Sequence, residues 1–230
     1  MQEPRFFRFI KSANALIFFG VGLLLLGVLG YTAYQIYRET LRDRTASGVV
    51  NIASPNQNTK TQMSLGTFAS IEGTFYYLAP INVEQEYRQG YYDKATSSTR
   101  NYLILNTADK SAVRLVPRND LLFVHVEKLG QKDKAGKLIK AEGLMYEVVK
   151  VDSNGDDRLT ETDQKAIALS EVSGKNYTEL LPNVDRVLGK VQIAPAKVML
   201  IYTIGNQNFV AEIDVTARQV VSAQKLPAIE

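Results

Sequence analysis

The segment DSNGDDRLTETD, residues 152–163, concentrates oxygen-bearing side chains within a short stretch. Carboxylate, amide and hydroxyl groups recur there at every second or third position. Calcium is a hard cation that takes roughly six to eight oxygen ligands, from side chains and from backbone carbonyls. The spacing therefore predicts a calcium site.

This segment resembles the calcium-binding loop of the EF-hand family, and especially its bacterial dockerin-like variant, which ends in aspartate. With Asp152 at the first position, Leu159 stands at the eighth, where such loops carry an apolar residue. Asp163 then stands at the twelfth. The resemblance is confined to the loop, and it implies one bound calcium ion. The ligands that it implies are Asp152, Asn154, Asp156, the backbone carbonyl of Arg158, Thr160 and Asp163.

Two positions depart from the family pattern. Asp157 stands at the sixth position, where the family has glycine, and aspartate adopts a positive φ only at some cost. Asp163 is shorter than the usual glutamate, and the sequence before the loop reads as a strand rather than a helix. These departures predict a weak site, with a Kd of about 10⁻⁵–10⁻³ M, which is typical of extracellular modules.

A simpler interpretation of the same residues stays open. Asn154-Gly155 is a favoured hairpin turn, and the neighbouring acids would then be incidental.

Thr160 followed by Asp163 is close to a capping box, which predicts a short helix beginning inside the loop.

A second feature is the apolar segment between Ser12 and Tyr37, which contains no charged residue. A helix of this length spans about 39 Å at about 1.5 Å per residue, whereas the hydrocarbon core is about 30 Å thick. The sequence predicts a transmembrane helix at 12–37. A cleaved signal peptide is the alternative, although no small-x-small cleavage site follows. The predicted organisation is a tail at 1–11, the helix at 12–37, a juxtamembrane linker at 38–64 and a β domain at 65–230.

The flanking charges do not orient this helix. Three basic residues precede it and three follow it, so the positive-inside rule gives a tie. A weak calcium site would be filled outside the cell and largely empty at cytosolic calcium. We therefore expect a single-pass inner-membrane protein with a cytoplasmic N-terminus and a periplasmic or extracytoplasmic domain.

The remainder of the chain reads as antiparallel β structure. Strand-like runs lie at 121–129 and 143–151, and Glu72-Gly73 separates two shorter runs as a hairpin would. Three segments share a design of strand, polar turn and second strand, which resembles the blades of TolB-like or WD40-like propellers. They are 102–117, 166–182 and 209–227. The predicted fold is mainly β, either a meander or a partial propeller-like domain.

Composition narrows the function. The absence of cysteine excludes disulfides, thiolate metal sites and cysteine nucleophiles, and His125 is the single histidine. The net charge of +3 gives no reason to expect nucleic-acid binding.

We expect a non-enzymatic binding or scaffold subunit of an envelope complex, with structural calcium, membrane lipid around 12–37 and a protein partner. The alternatives are a calcium-responsive sensor and a membrane-anchored hydrolase. Tyrosine-rich residues 75–92 are a candidate partner surface.

Overall fold

The computed structural model describes residues 5–40, 45–52, 61–89 and 92–227. The chain divides into two compact units, residues 1–44 and 45–230. Within the first unit lies one helix, α1 (Arg5–Thr40). Its segment Asn14–Tyr34 has a mean hydropathy of 2.2, and none of that window is buried. The helix is thus long and apolar enough to cross a membrane, and a signal sequence would meet the same criteria.

The second unit is built from strands. Those of its first half are β1 (Thr45–Ser47), β2 (Val50–Asn51), β3 (Thr61–Leu65), β4 (Ala69–Ser70), β5 (Tyr76–Gln89), β6 (Tyr92–Asn106), β7 (Ala112–Arg114) and β8 (Leu122–Lys132). Those of its second half are β9 (Leu138–Val149), β10 (Arg158–Leu159), β11 (Lys165–Ser170), β12 (Thr178–Val184), β13 (Arg186–Ala194), β14 (Lys197–Ile204), β15 (Gln207–Asp214) and β16 (Gln219–Lys225).

These strands form three main sheets and one short ladder. The N-terminal sheet has the order β1-β6-β5-β3, with β4 beside β5 and β7 beside β6. The central sheet has the order β12-β11-β9-β8, and the C-terminal sheet has the order β13-β14-β15-β16. The ladder joins β10 to β2. Every described pairing is antiparallel except that of β1 with β6. The domain is therefore mainly β and mainly antiparallel, as predicted.

The central sheet is covered on both faces. Alternate residues of β9 point to opposite sides: Leu144 and Tyr146 pack with the N-terminal sheet, and Met145 packs with the C-terminal sheet. In β11, Ala168 joins the first core, and its neighbours Ile167 and Leu169 join the second. All six residues of β11 are buried. A sheet covered on both faces explains why these strands read as nearly continuous apolar runs.

The hairpins expected from the sequence are present in all three sheets. The segments 102–117, 166–182 and 209–227 contain the antiparallel pairs β6–β7, β11–β12 and β15–β16. The turn at Glu72-Gly73 joins β4 to β5, and Gly73 has a φ of 68°. The three-part repeat thus contributes one hairpin to each sheet.

Two local predictions are corrected by the structure. The stretch 38–64 is not all linker, because β1, β2 and the start of β3 lie in it and the compact unit begins at Thr45. Residues 53–60 lie outside the described residues. The predicted short helix at Thr160 is a single turn, closed by a 3.2 Å hydrogen bond from the Asp163 N–H to the Thr160 carbonyl. It goes no further because β11 begins two residues later and draws the chain into the central sheet.

Candidate calcium site in the loop between β9 and β11

The acidic loop is the connection between two neighbouring strands of the central sheet. The last residue of β9, Val149, pairs with the first residue of β11, Lys165. The acidic loop is therefore a long hairpin connection between two apolar strands. Its position fixes both ends of the loop on the best-buried part of the domain.

A short ladder holds the middle of the loop against the domain. Leu159 pairs with Val50, and the Ile52 N–H donates a 3.0 Å hydrogen bond to the Asp157 carbonyl. Leu159 and Val50 are buried together with Leu122 and Val149. The apolar eighth position of the loop thus has a structural role: it anchors the loop in a small core of its own. No local pattern in the sequence marks Val50 as its partner.

Asp152 organises the first turn of the loop. Its Oδ1 accepts hydrogen bonds from the N–H groups of Asn154, Gly155 and Asp156, and its Oδ2 accepts one from Asp157 at 2.7 Å. Desolvation acts to raise the pKa of Asp152, but these backbone donors together lower it below its ordinary value. The carboxylate is therefore held in its charged form, and its stabilising contribution is lost as the pH falls through the lowered pKa.

The next two predicted ligands repeat this pattern on a smaller scale. The Asn154 Oδ1 accepts the Asp156 N–H at 3.0 Å, and the Asp156 Oδ1 accepts the Arg158 N–H at 3.0 Å. Such side-chain-to-backbone bonds two residues apart shape tight polar turns. Asp157 has a φ of 59°, as the resemblance requires of the sixth position. Asp157 thus adopts the positive φ although it is not glycine.

Asp163 has a different environment from the other predicted ligands. Its side chain is fully buried, and its Oδ1 accepts hydrogen bonds from Ser153 N at 2.8 Å and Ser153 Oγ at 3.0 Å. Its Oδ2 accepts one from Thr160 N at 2.8 Å. These hydrogen bonds connect Ser153, near the start of the loop, with Thr160 and Asp163 near its end. Ser153, whose Oγ also accepts the Gln164 N–H at 2.8 Å, is a residue that sequence reasoning missed.

The loop fits a calcium ion in part. The Asn154 amide oxygen and the Asp156 carboxylate each accept one backbone hydrogen bond and keep unused lone pairs. Asp152 already accepts four such bonds, and it keeps a free lone pair only on Oδ2. Asp163 would have to give up bonds to Ser153 before it could act as a ligand. In the ranges that the structure describes, no three His, Cys, Asp or Glu side chains form a metal-holding group, so Asp152, Asp156 and Asp163 are not gathered into one. Thr160 Oγ1 lies 2.6 Å from Thr162 Oγ1.

His125 lies two residues after Phe123 in β8, so a regular strand would place both side chains on the same face. The structure instead exposes His125, and Phe123 is 3% exposed. The register of β8 against β9 shifts between these two residues, which breaks the two-residue alternation.

No family model and no curated protein matches the chain. Among solved structures, it is similar to the β-propeller domain of the Trilobed protease from Pyrococcus furiosus, with 8% identity, a TM-score of 0.32, and coverage of 72% of this chain and 43% of that one. It is also similar to a luciferin-regenerating enzyme, with 12% identity, a TM-score of 0.33, and coverage of 78% of this chain and 64% of that one. The third similar structure is the Dos1 propeller, with 7% identity, a TM-score of 0.37, and coverage of 75% of this chain and 51% of that one.

The chain spans about half the length of the solved structures it matches, from 43% to 64%. Two of the three are propellers. The prediction that the chain is not an enzyme is corrected, because one of these structures is an enzyme. The exclusion of catalysis is withdrawn, and a likeness of this strength assigns no activity in its place.

Proposed function

We propose that the chain is a membrane-anchored binding or scaffold module whose loop at 152–163 takes up one calcium ion. The apolar helix carries the module in the bilayer, with the N-terminus in the cytoplasm and the β domain on the extracytoplasmic side of the inner membrane. The ion has a mainly structural role. The module works as a subunit of an envelope complex.

The observation that carries the proposal is the way the loop is built into the domain. It joins two adjacent strands of the fully covered central sheet, and Leu159 anchors it in a buried cluster. Asp152, Asn154 and Asp156 would hold the ion, and its charge would offset the repulsion among the loop's carboxylates. A ligand bound at such a connection stabilises the folded state more readily than it moves one part against another.

The proposed partner surface is supported by exposed aromatic residues. Phe75 is 70% exposed and Tyr77 is 36% exposed, whereas Tyr76 packs against the first core. Aromatic residues are enriched in protein interfaces. Of the other tyrosines in this segment, Tyr91 lies outside the described residues, and the side chains of Tyr87 and Tyr92 are not among those described.

Calcium should raise the melting temperature of the full-length protein in detergent, and magnesium should raise it much less. Magnesium requires a tighter octahedral shell and keeps its waters. At an ion concentration of about 100 times the Kd, the stabilisation is about 2.7 kcal/mol. Asp156→Ala should remove most of this shift, because it deletes one proposed ligand. Thermal denaturation with and without each ion measures the effect.

Asp157→Gly is the matched control, since it removes one charge from the same loop without removing a proposed ligand. Glycine accepts the φ of 59° at this position and keeps the N–H that donates to Asp152. This variant should keep the calcium shift. Equal shifts in Asp156→Ala and the unmodified chain would place calcium elsewhere. Hydrogen exchange that changes beyond about residues 148–172 would favour a sensor over a structural ion.

The full-length protein should remain in the membrane fraction during alkaline carbonate extraction, because the uncharged helix is long enough to span the bilayer. A reporter that is active only outside the cytoplasm should be active when fused after Glu230. The same reporter on a chain lacking residues 12–37 is the control and should be inactive. Release of the chain by carbonate would indicate a cleaved signal peptide, and activity of a cytoplasm-only reporter would reverse the orientation.

A further inference from the structure

Lys165, the first residue of β11, has an unusual environment for an ammonium group. The residue is 7% exposed, and its Nζ donates one long hydrogen bond of 3.4 Å to the Asp185 carbonyl. The nearby Asp185 carboxylate is engaged elsewhere, by Gln164 Nε2 at 2.9 Å and by the Gly205 N–H. An ammonium group has several donors, and burying it with so few partners is unfavourable. Lys165 therefore has unused capacity to bind an acceptor.

This side chain lines a cavity of about 370 Å³ between the central sheet and β13. Two further cations, Arg186 and Lys190, line the same cavity, together with Glu147 and Glu161. The residues that contribute charge come from β9, from the acidic loop, from β11 and from β13. The cavity is thus rich in charged groups of both signs, and their pairing decides which ligand it suits.

Of the two acids that line this cavity, Glu147 is paired and Glu161 is not. Lys190 Nζ lies 2.7 Å from Glu127 Oε2 and 3.5 Å from Glu147 Oε1. Within the part of the chain that the structure describes, Lys165 and Arg186 have no carboxylate within 4.0 Å. Glu161 is exposed and also forms no such pair there. Two cations, Lys165 and Arg186, and one exposed acid, Glu161, are thus left without an ion-pair partner among these residues.

We propose that this cavity binds a small oxyanion, a phosphate or carboxylate group, on Lys165 and Arg186. The Lys165 ammonium supplies a compact positive charge at the buried end, and the Arg186 guanidinium supplies a planar pair of donors at the exposed end. Hydrogen bonds between such cations and an oxyanion are charge-assisted and stronger than neutral ones. The proposal is independent of calcium, since neither cation belongs to the loop's proposed ligands.

The test uses the full-length chain in detergent, with inorganic phosphate and acetate as the two probes. Each is titrated against chloride at equal ionic strength, and binding is followed by calorimetry and by protection of Lys165 from reductive methylation, read by mass spectrometry. A response to phosphate alone assigns a phosphate-type ligand, and a response to acetate assigns a carboxylate. Lys165→Met should weaken binding by roughly tenfold or more, the loss expected for one charge-assisted bond.

Two further variants make the test specific. Lys137→Met is the matched control, because this lysine lies in the exposed turn between β8 and β9 and should leave the affinity unchanged. Glu161→Gln should tighten binding, because it removes the one unpaired acid of the cavity. Absence of binding by both probes would overturn the proposal. Equal affinity in Lys165→Met and the unmodified chain would do so too, as would unchanged methylation of Lys165 in saturating anion.

Discussion

Replacing Asp163 with alanine should destabilise the β domain even when calcium is chelated. The buried carboxylate accepts hydrogen bonds from Ser153 N, Ser153 Oγ and Thr160 N. The change leaves these donors without their partner, at about 1–3 kcal/mol for each donor that stays buried and unpaired. We expect a loss of roughly 3–5 kcal/mol in the free energy of unfolding, measured by chemical denaturation in the presence of a chelator.

Asp156→Ala is the matched control for this prediction. Asp156 is exposed and accepts one backbone bond, from the Arg158 N–H. In chelator its replacement should change stability by less than about 1 kcal/mol, in line with a surface substitution. Similar losses in the two variants would contradict the distinction between a residue that closes the loop and one that is free to bind an ion.

Gly130→Ala should be the most disruptive glycine substitution within a strand. A Cβ at this position of β8 would lie 2.0 Å from the Lys140 carbonyl oxygen, 2.8 Å from the Ala141 Cα and 2.9 Å from the Glu142 nitrogen. All three are backbone atoms of the paired strand β9, so no side chain can rotate away. Overpacking costs about 1–3 kcal/mol, occasionally more, and we expect about 3 kcal/mol or more here.

Gly189→Ala in β13 tests the same substitution without the clash. Its nearest atom would be Ile201 Cδ1 at 3.9 Å, and its φ is not positive. Alanine there should be neutral or stabilising by up to about 1 kcal/mol, because it restricts the unfolded chain. Thermal and chemical denaturation of both variants give the comparison. A Gly130→Ala protein as stable as the Gly189→Ala protein would show that β8 and β9 do not approach as closely as described.

The strands and their turns were predictable because they depend on local patterns. The β-prone runs ending in polar turns produced the three hairpins, and Asn154-Gly155 lies in a tight polar turn as its composition suggests. The positive φ of Asp157 followed from its place in the loop. These features need only neighbouring residues, so the sequence carries them directly.

The features that sequence reasoning missed depend on contacts between residues that are distant in the sequence. Val50 lies in a polar stretch that resembles a linker, and its burial depends on Leu159, more than 100 residues further along. The hydrogen bond from the Ser153 N–H to Asp163 likewise depends on the fold, because the residue type alone does not reveal it. The helix predicted at Thr160 had a favourable start, but the pairing of Lys165 with Val149 ended it.

The double coverage of the central sheet has a consequence for strand alignment. In an ordinary half-exposed sheet, a slip of one residue turns apolar side chains to water, and this penalty selects the correct register. In residues 144–146 of β9 and 167–169 of β11 both faces are apolar, so a slip there would exchange residues between two cores. Polarity would oppose such a slip only through neighbouring residues such as Glu147 and Lys165. The connection that fixes Val149 opposite Lys165 then contributes much of the alignment. The acidic loop is thereby a determinant of folding fidelity, and variants that loosen it should yield misaligned, compact chains rather than unfolded ones.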